Sequence, residues 1–214
     1  MQFIYRVARA VIDILPAPLL AVYQRNKNAR LIRQWERNGR SGPPPHIIKQ
    51  RIISDAGAAH GCKTLIETGT YLGDMVDAQL KNFDAIISIE LSQDLHAKAQ
   101  QRFARHRHVS IRQGDSGKVL HEIVPSLKNK TLFWLDGHYS AGFTAKGDRD
   151  CPIIEELDAI LASPLTHVIL IDDAHCFTGH GDYPTIREVE AIILAKRPGS
   201  TFETKDNIMR ATLA

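Results

Sequence analysis

Cysteine is scarce in this chain. The three present, Cys62, Cys151 and Cys176, are an odd number and form no CxxC pair. That argues against a disulfide framework or structural zinc and fits a reducing, cytoplasmic compartment. Long apolar runs are lacking too: none reaches the roughly 18–20 residues needed to cross a bilayer. The nearest, Val11 to Tyr23, is broken by Asp13, Pro16 and Pro18. With Arg6 and Arg9 ahead of it, it reads as a poor secretory leader, and no small-x-small cleavage site follows. Internal repeats and low-complexity tracts are missing. The body has no aromatic-basic stacking platform, so no nucleic-acid partner is expected.

What is present is unevenly spread. Residues 1–60 hold ten Lys/Arg and three Asp/Glu, a net of +7. Residues 61–214 hold seventeen and twenty-one, a net of −4. The basic excess therefore belongs to an N-terminal arm. Phe3, Val7, Val11 and Ile14 recur there at helical spacing, and a second helical stretch runs from about Leu19 to Arg37. The composition of Asn38 to Pro45 is that of a linker. Arm and linker are placed at residues 1–44, and one globular domain at 45–214. A basic amphipathic arm suits an anionic surface such as the inner face of a membrane, and equally packing on the domain or in a homo-oligomer.

After a helix over about His46 to Ala59, strand and helix patterns alternate. Strands are expected at Thr64–Glu67, Ala85–Glu90, Val109–Gln113, Thr131–Asp136 and Val168–Asp172, each followed by a helix. Thr201–Lys205 and Ile208–Leu213, around Asp206-Asn207, read as an antiparallel hairpin. The fold class is thus α/β: a doubly wound, mostly parallel, seven-stranded Rossmann-like sheet with a C-terminal antiparallel hairpin and an N-terminal helical arm.

In such sheets ligands bind beyond the carboxyl ends of the strands. The first strand ends in Glu67-Thr-Gly69-Thr-Tyr71-Leu-Gly73. This is not a GxGxxG loop, and Glu67 would repel a pyrophosphate. A cationic ligand carrying its own carboxylate suits it better, since the following helix start offers free N–H groups. Glu90 ends the second strand, where an acidic group can accept hydrogen bonds from ribose hydroxyls. Gly114-Asp115-Ser116 ends the third, well placed to meet an adenine edge.

These three features and the terminal hairpin, taken in order, resemble class I S-adenosylmethionine-dependent methyltransferases over about residues 50–214. The resemblance implies that Glu67 and Gly69 line the methionine end of the cofactor, and Tyr71 and Gly73 of the same loop are taken as cofactor-binding too. It puts Glu90 on the ribose, and Asp115 and Ser116 near the adenine. Asp74 stands where related loops usually have Ser or Thr. Its expected role is to cap the helix starting at Met75; a side chain facing the cofactor would instead weaken binding.

The fourth strand runs into Asp136-Gly-His138 and the fifth into Asp172-Asp173-Ala-His175. The class I resemblance implies that these two strands are neighbours, about 4.8 Å apart, so three carboxylates would converge and need a cation or a proton. Oxygen donors favour Mg²⁺, Mn²⁺ or Ca²⁺ over zinc. The pattern resembles the macrocin and aminocoumarin-sugar O-methyltransferases, and more distantly catechol O-methyltransferase. That likeness implies Asp136, Asp172 and Asp173 as metal ligands and a small-molecule or glycan hydroxyl as acceptor. His138 and His175 are the candidate bases; the related sugar enzymes often carry an acidic residue at the first position. The loops 139–150 and 177–184 are expected to wall the acceptor pocket. Two other readings stay open. One is a metal-dependent hydroxylase or glycosyl-transfer enzyme, with His138, His175 and Asp136 as an iron set. The other is a non-catalytic cofactor-binding module.

Overall fold

The structure is a computed structural model that describes residues 16–137 and 151–214. The first expected arm helix, His138 and the 139–150 loop lie outside the described residues.

The arm enters as α1 (Ala17–Arg37), with Pro16 at its N-cap. Pro18 falls in the first turn, where a missing N–H costs no bond, so the helix starts through it rather than after it. Trp35 is buried and lies under the Arg40 guanidinium, 4.8 Å from the ring centre. Arg40 in turn pairs with Asp206 at 3.4 Å. The end of the arm is thereby tied to the C-terminal hairpin.

The body follows as α2 (His46–His60), β1 (Thr64–Thr68), α3 (Asp74–Gln79), β2 (Ala85–Glu90), α4 (Gln93–Phe103), β3 (Val109–Gln113), α5 (Ser116–Ile123), β4 (Thr131–Leu135), α6 (Ile153–Leu161), β5 (Val168–Ile171), α7 (Ile186–Lys196), β6 (Thr201–Lys205) and β7 (Ile208–Thr212). The sheet order is β3-β2-β1-β4-β5-β7-β6. β1 to β5 pair in parallel, while β7 is antiparallel to both β5 and β6. Asp206 and Asn207 both have positive φ, +54° and +60°, the geometry of a tight type I′ hairpin turn.

Alternation along the strands splits the core into two layers. Ile66, Ile89, Phe133, Leu135, Ile169 and Ile171 meet apolar residues of α5, α6 and α7. Leu65, Ile86, Leu132, Trp134, Val168 and Leu170 meet α2, α3 and α4 on the other face. Both faces of the central strands are therefore dry, which is why these strands read as near-continuous apolar runs. His167 belongs to the same framework. Its Nδ1 accepts the Thr131 N–H at 3.2 Å, its Nε2 lies 2.9 Å from Ser163 Oγ, and burial pulls its pKa down to about 4.

Register brings the strand ends level. Thr68 pairs with Ile89 and Leu135, and Leu135 with Ile171. The ladder runs one residue further, with the Asp136 N–H on the Thr68 carbonyl at 3.2 Å and the Asp172 N–H on the Leu135 carbonyl at 3.0 Å. Asp136 and Asp172 thus leave the sheet side by side.

Candidate active site

The carboxyl edge of the sheet divides into two acidic halves. In the first, Glu67 is 2% exposed. Ser88 donates to its Oε2 at 2.5 Å, and Thr70 Oγ1 lies 2.6 Å from the Ser88 hydroxyl. Burial pushes the Glu67 carboxyl up to about 8, with Asp136 and Glu90 adding to the rise and the Ser88 bond opposing it. A buried acid so poised favours a ligand that brings its own positive charge. Glu90, also buried, accepts the Tyr71 N–H at 2.8 Å on one oxygen and the Ser92 N–H at 2.9 Å on the other. Each oxygen keeps a lone pair that can take a hydroxyl.

Tyr71 thus contributes its backbone, held at φ +49°, while its side chain is exposed. At both glycines of this loop a Cβ would meet protein. A Cβ on Gly69, at φ +85°, would lie 2.4 Å from the Asp136 carbonyl oxygen. A side chain has no room there because the loops after β1 and β4 abut. A Cβ on Gly73 would meet the Phe103 ring at 2.6 Å, so that glycine serves the packing of the loop on α4.

Asp115 caps α5, accepting the Gly117 N–H at 3.0 Å, and Ser116 is the buried first residue of that helix. The Gly114 N–H bonds the Glu90 carbonyl at 3.0 Å, which sets this turn beside Glu90. Asp74 departs from its expected role. It does not cap α3: the helix begins at Asp74 itself, with Gly73 at the N-cap and no side-chain cap. The Asp74 carboxylate pairs instead with Arg102 at 2.7 Å, and the same guanidinium reaches the Leu72 carbonyl at 2.5 Å and Asp77 at 3.5 Å. A neighbouring cation competes for the side chain, and a helix start can satisfy its N–H groups with water.

In the second half, ligand atoms of Asp136, Asp172 and Asp173 lie within 4.8 Å of one another. Asp172 is fully buried, while Asp173 sits in a left-handed turn at φ +48°. Asp173 donates its N–H to Asp172 Oδ1 at 2.8 Å. Lys49, from α2, bonds Asp172 Oδ2 directly and lies 3.5 Å from Asp173 Oδ1. Burial acts to lower the Lys49 pKa, but the acidic neighbours outweigh it and hold the ammonium charged. Burial raises Asp172, against the pull of Lys49. Asn207, on the hairpin turn, donates to Asp173 Oδ1 at 3.3 Å.

His175 is exposed and turned onto Asn207: its N–H donates to Asn207 Oδ1 at 2.9 Å, and its Nδ1 lies 3.1 Å from that oxygen. Lys49 and Asn207 were not read from the sequence as site residues. Asn207 was visible only as a turn former, and Lys49 as one cation of a basic stretch.

The donor set suits a hard cation. Octahedral Mg²⁺, with bonds of about 2.1 Å, holds opposite oxygens about 4.2 Å apart and adjacent ones about 3.0 Å apart, so carboxylate oxygens spread over up to 4.8 Å would have to close around it. Such an ion would also have to take Asp172 from Lys49.

No protein-family model and no curated protein matches this sequence. Solved structures match it in fold. A methyltransferase from Podospora anserina, PaMTH1, bound to S-adenosylhomocysteine, aligns with TM-score 0.57 and 16% identity, over 94% of this chain and 98% of its own. An O-methyltransferase from Bacillus cereus, also with S-adenosylhomocysteine, gives 0.55 and 15%, over 98% and 97%. The O-methyltransferase TomG from Streptomyces achromogenes, with S-adenosylmethionine, gives 0.57 and 13%, over 87% and 88%. The chain therefore has the class I methyltransferase fold.

Proposed function

We propose that the chain is an S-adenosylmethionine-dependent O-methyltransferase. Its acceptor is a hydroxyl of a sugar or other small polyol, and Mg²⁺ or Mn²⁺ is bound by Asp136, Asp172 and Asp173. One observation carries the reading. Two buried acids suited to a cationic nucleoside, Glu67 and Glu90, share the carboxyl edge with a three-carboxylate cluster, and the Gly69–Asp136 contact joins the two. The solved O-methyltransferases of the same fold, two of them bound to the cofactor or its product, support the reaction class. Asp74, the one feature that favoured a non-catalytic module, is neutralised by Arg102.

In this reading Glu90 holds the ribose hydroxyls, and Glu67 faces the cationic methionine end. The bound cation supplies charge that orients the acceptor hydroxyl and lowers its pKa. The hydroxyl oxygen attacks the methyl carbon, the sulfur keeps the bonding pair as S-adenosylhomocysteine, and the proton passes to a base. His138 is assigned that role from its place after Asp136-Gly137. His175, engaged by Asn207, is the lesser candidate. The test is transfer of labelled methyl to a panel of sugars and nucleotide sugars. Product should form with Mg²⁺ or Mn²⁺ and vanish with a chelator. Full turnover in excess chelator would remove the metal. No product with any hydroxyl acceptor, beside good cofactor binding, would move the reading to another acceptor class.

A further inference from the structure

α1 carries more than a tether. Leu19, Tyr23, Asn26, Arg30, Arg33 and Arg37 follow one another at steps of four and three residues, a single stripe of a 3.6-residue helix. All six are exposed, and they lie opposite buried Trp35. Leu19 is 57% exposed, and beside it Val22 and Tyr23 are 46% and 41% exposed. The stripe is ordered along its length, apolar through the first two turns and cationic through the last three.

From residue 17 to 45 the chain has six Lys/Arg and one acid, Glu36. Arg40 is taken by Asp206. Arg30, Arg33 and Arg37 have no ion pair among the described residues, and they line one surface depression with Gln34 and Asn38. A folded protein surface normally intersperses acids among so many cations. An unbroken cationic stripe that continues an exposed apolar one is complementary to a negatively charged surface with an apolar interior.

We infer that this face of α1 docks on an anionic phospholipid bilayer, with Leu19, Val22 and Tyr23 entering the headgroup boundary and Arg30, Arg33 and Arg37 on the phosphates. The stripe spans about 27 Å, enough to lie along the surface. No helix among the described residues is long and apolar enough to cross a membrane, so the contact is peripheral. The inference does not depend on the reaction proposed above.

The experiment is co-sedimentation of the full chain with vesicles of phosphatidylglycerol and phosphatidylcholine, and of phosphatidylcholine alone. Binding is expected to the anionic vesicles only. It should fade as salt rises from about 0.1 M to about 1 M, where the screening length falls from about 10 Å to about 3 Å. The triple variant R30E/R33E/R37E should lose at least about 100-fold in partitioning, near fivefold for each charge removed. L19S/V22S/Y23S should bind more weakly than the native chain even at low salt. K128E/K205E, reversing two exposed cations of the body, should bind like the native chain. Matching circular-dichroism melts would show that the variants are folded. Failure of the native chain to sediment at low salt would overturn the inference. So would equal binding by R30E/R33E/R37E, or equal binding to neutral vesicles.

Discussion

The acids on the two halves of the carboxyl edge are held by different kinds of partner. On the β1–β3 side, Glu90 is fixed by backbone N–H groups of Tyr71 and Ser92, and Glu67 by Ser88 on the adjoining strand. On the β4–β7 side, Asp172 and Asp173 are held by Lys49, more than a hundred residues away, and by Asn207 on the terminal hairpin. The first arrangement is built from the adjoining strand β2 and the strand-end loops themselves. The second exists only once α2 and the hairpin have docked. One half should therefore be rigid and local, and the other sensitive to whatever displaces Lys49.

The largest expected effect strikes the seam between the halves. Gly69→Val puts a branched side chain onto the Asp136 carbonyl at a positive φ. It should cost about 3 kcal/mol or more in urea unfolding, because backbone strain and overlap add. A normal unfolding curve with only cofactor affinity lost would return that glycine to the ligand pocket. Next comes Asp172→Asn, which strands the Lys49 ammonium with a weaker partner. A loss of about 3 kcal/mol is expected, largely recovered in the double variant Lys49→Met/Asp172→Leu. If the double variant is no better than the single, the pair is not the unit that holds this half together.

A smaller effect concerns the cation. Lys49→Met should raise Mn²⁺ affinity about tenfold or more, roughly 1.4 kcal/mol, since the ion no longer competes with an ammonium for Asp172. Equal affinity in calorimetry would show that Lys49 and the metal do not compete.

The pH response should separate two buried groups. His167 is depressed to about 4, below its ordinary value, so its stabilising contribution is complete above about 6.5 and is lost as pH falls toward 4. Glu67 is raised to about 8, so its protonated form stabilises the fold at low pH. That contribution is lost as pH rises from about 4.5 through 8. Glu67→Gln should flatten the alkaline side of a melting-temperature profile and leave the acid side in place. A change confined to the acid side would mean that Glu67 is ionised throughout.

The same contrast explains what could be read from the chain alone. The strand positions along the chain, the hairpin and the places of Glu67, Glu90, Asp136, Asp172 and Asp173 follow from apolar runs ending in acids, a signal carried by a few adjacent residues. The roles of the glycines were less legible. Whether Gly69 makes room for a ligand or for the next loop depends on register between β1 and β4, which no local pattern states. Lys49 looks like any basic residue of a helix until α2 packs, and Asn207 like any turn residue until β7 pairs with β5. Asp74 was misread for the same reason: Arg102, its partner, lies 28 positions away.

Calorimetric titration with S-adenosylhomocysteine tests the division of the edge most directly, in the native chain, Glu90→Ala and Asp172→Asn. The account predicts saturable binding by the native chain. It predicts a loss of about 1–3 kcal/mol in Glu90→Ala, from hydrogen bonds to a charged acceptor. Binding by folded Asp172→Asn should stay within about twofold of native, under 0.5 kcal/mol. No binding by the native chain, or a loss in Asp172→Asn with none in Glu90→Ala, would contradict it.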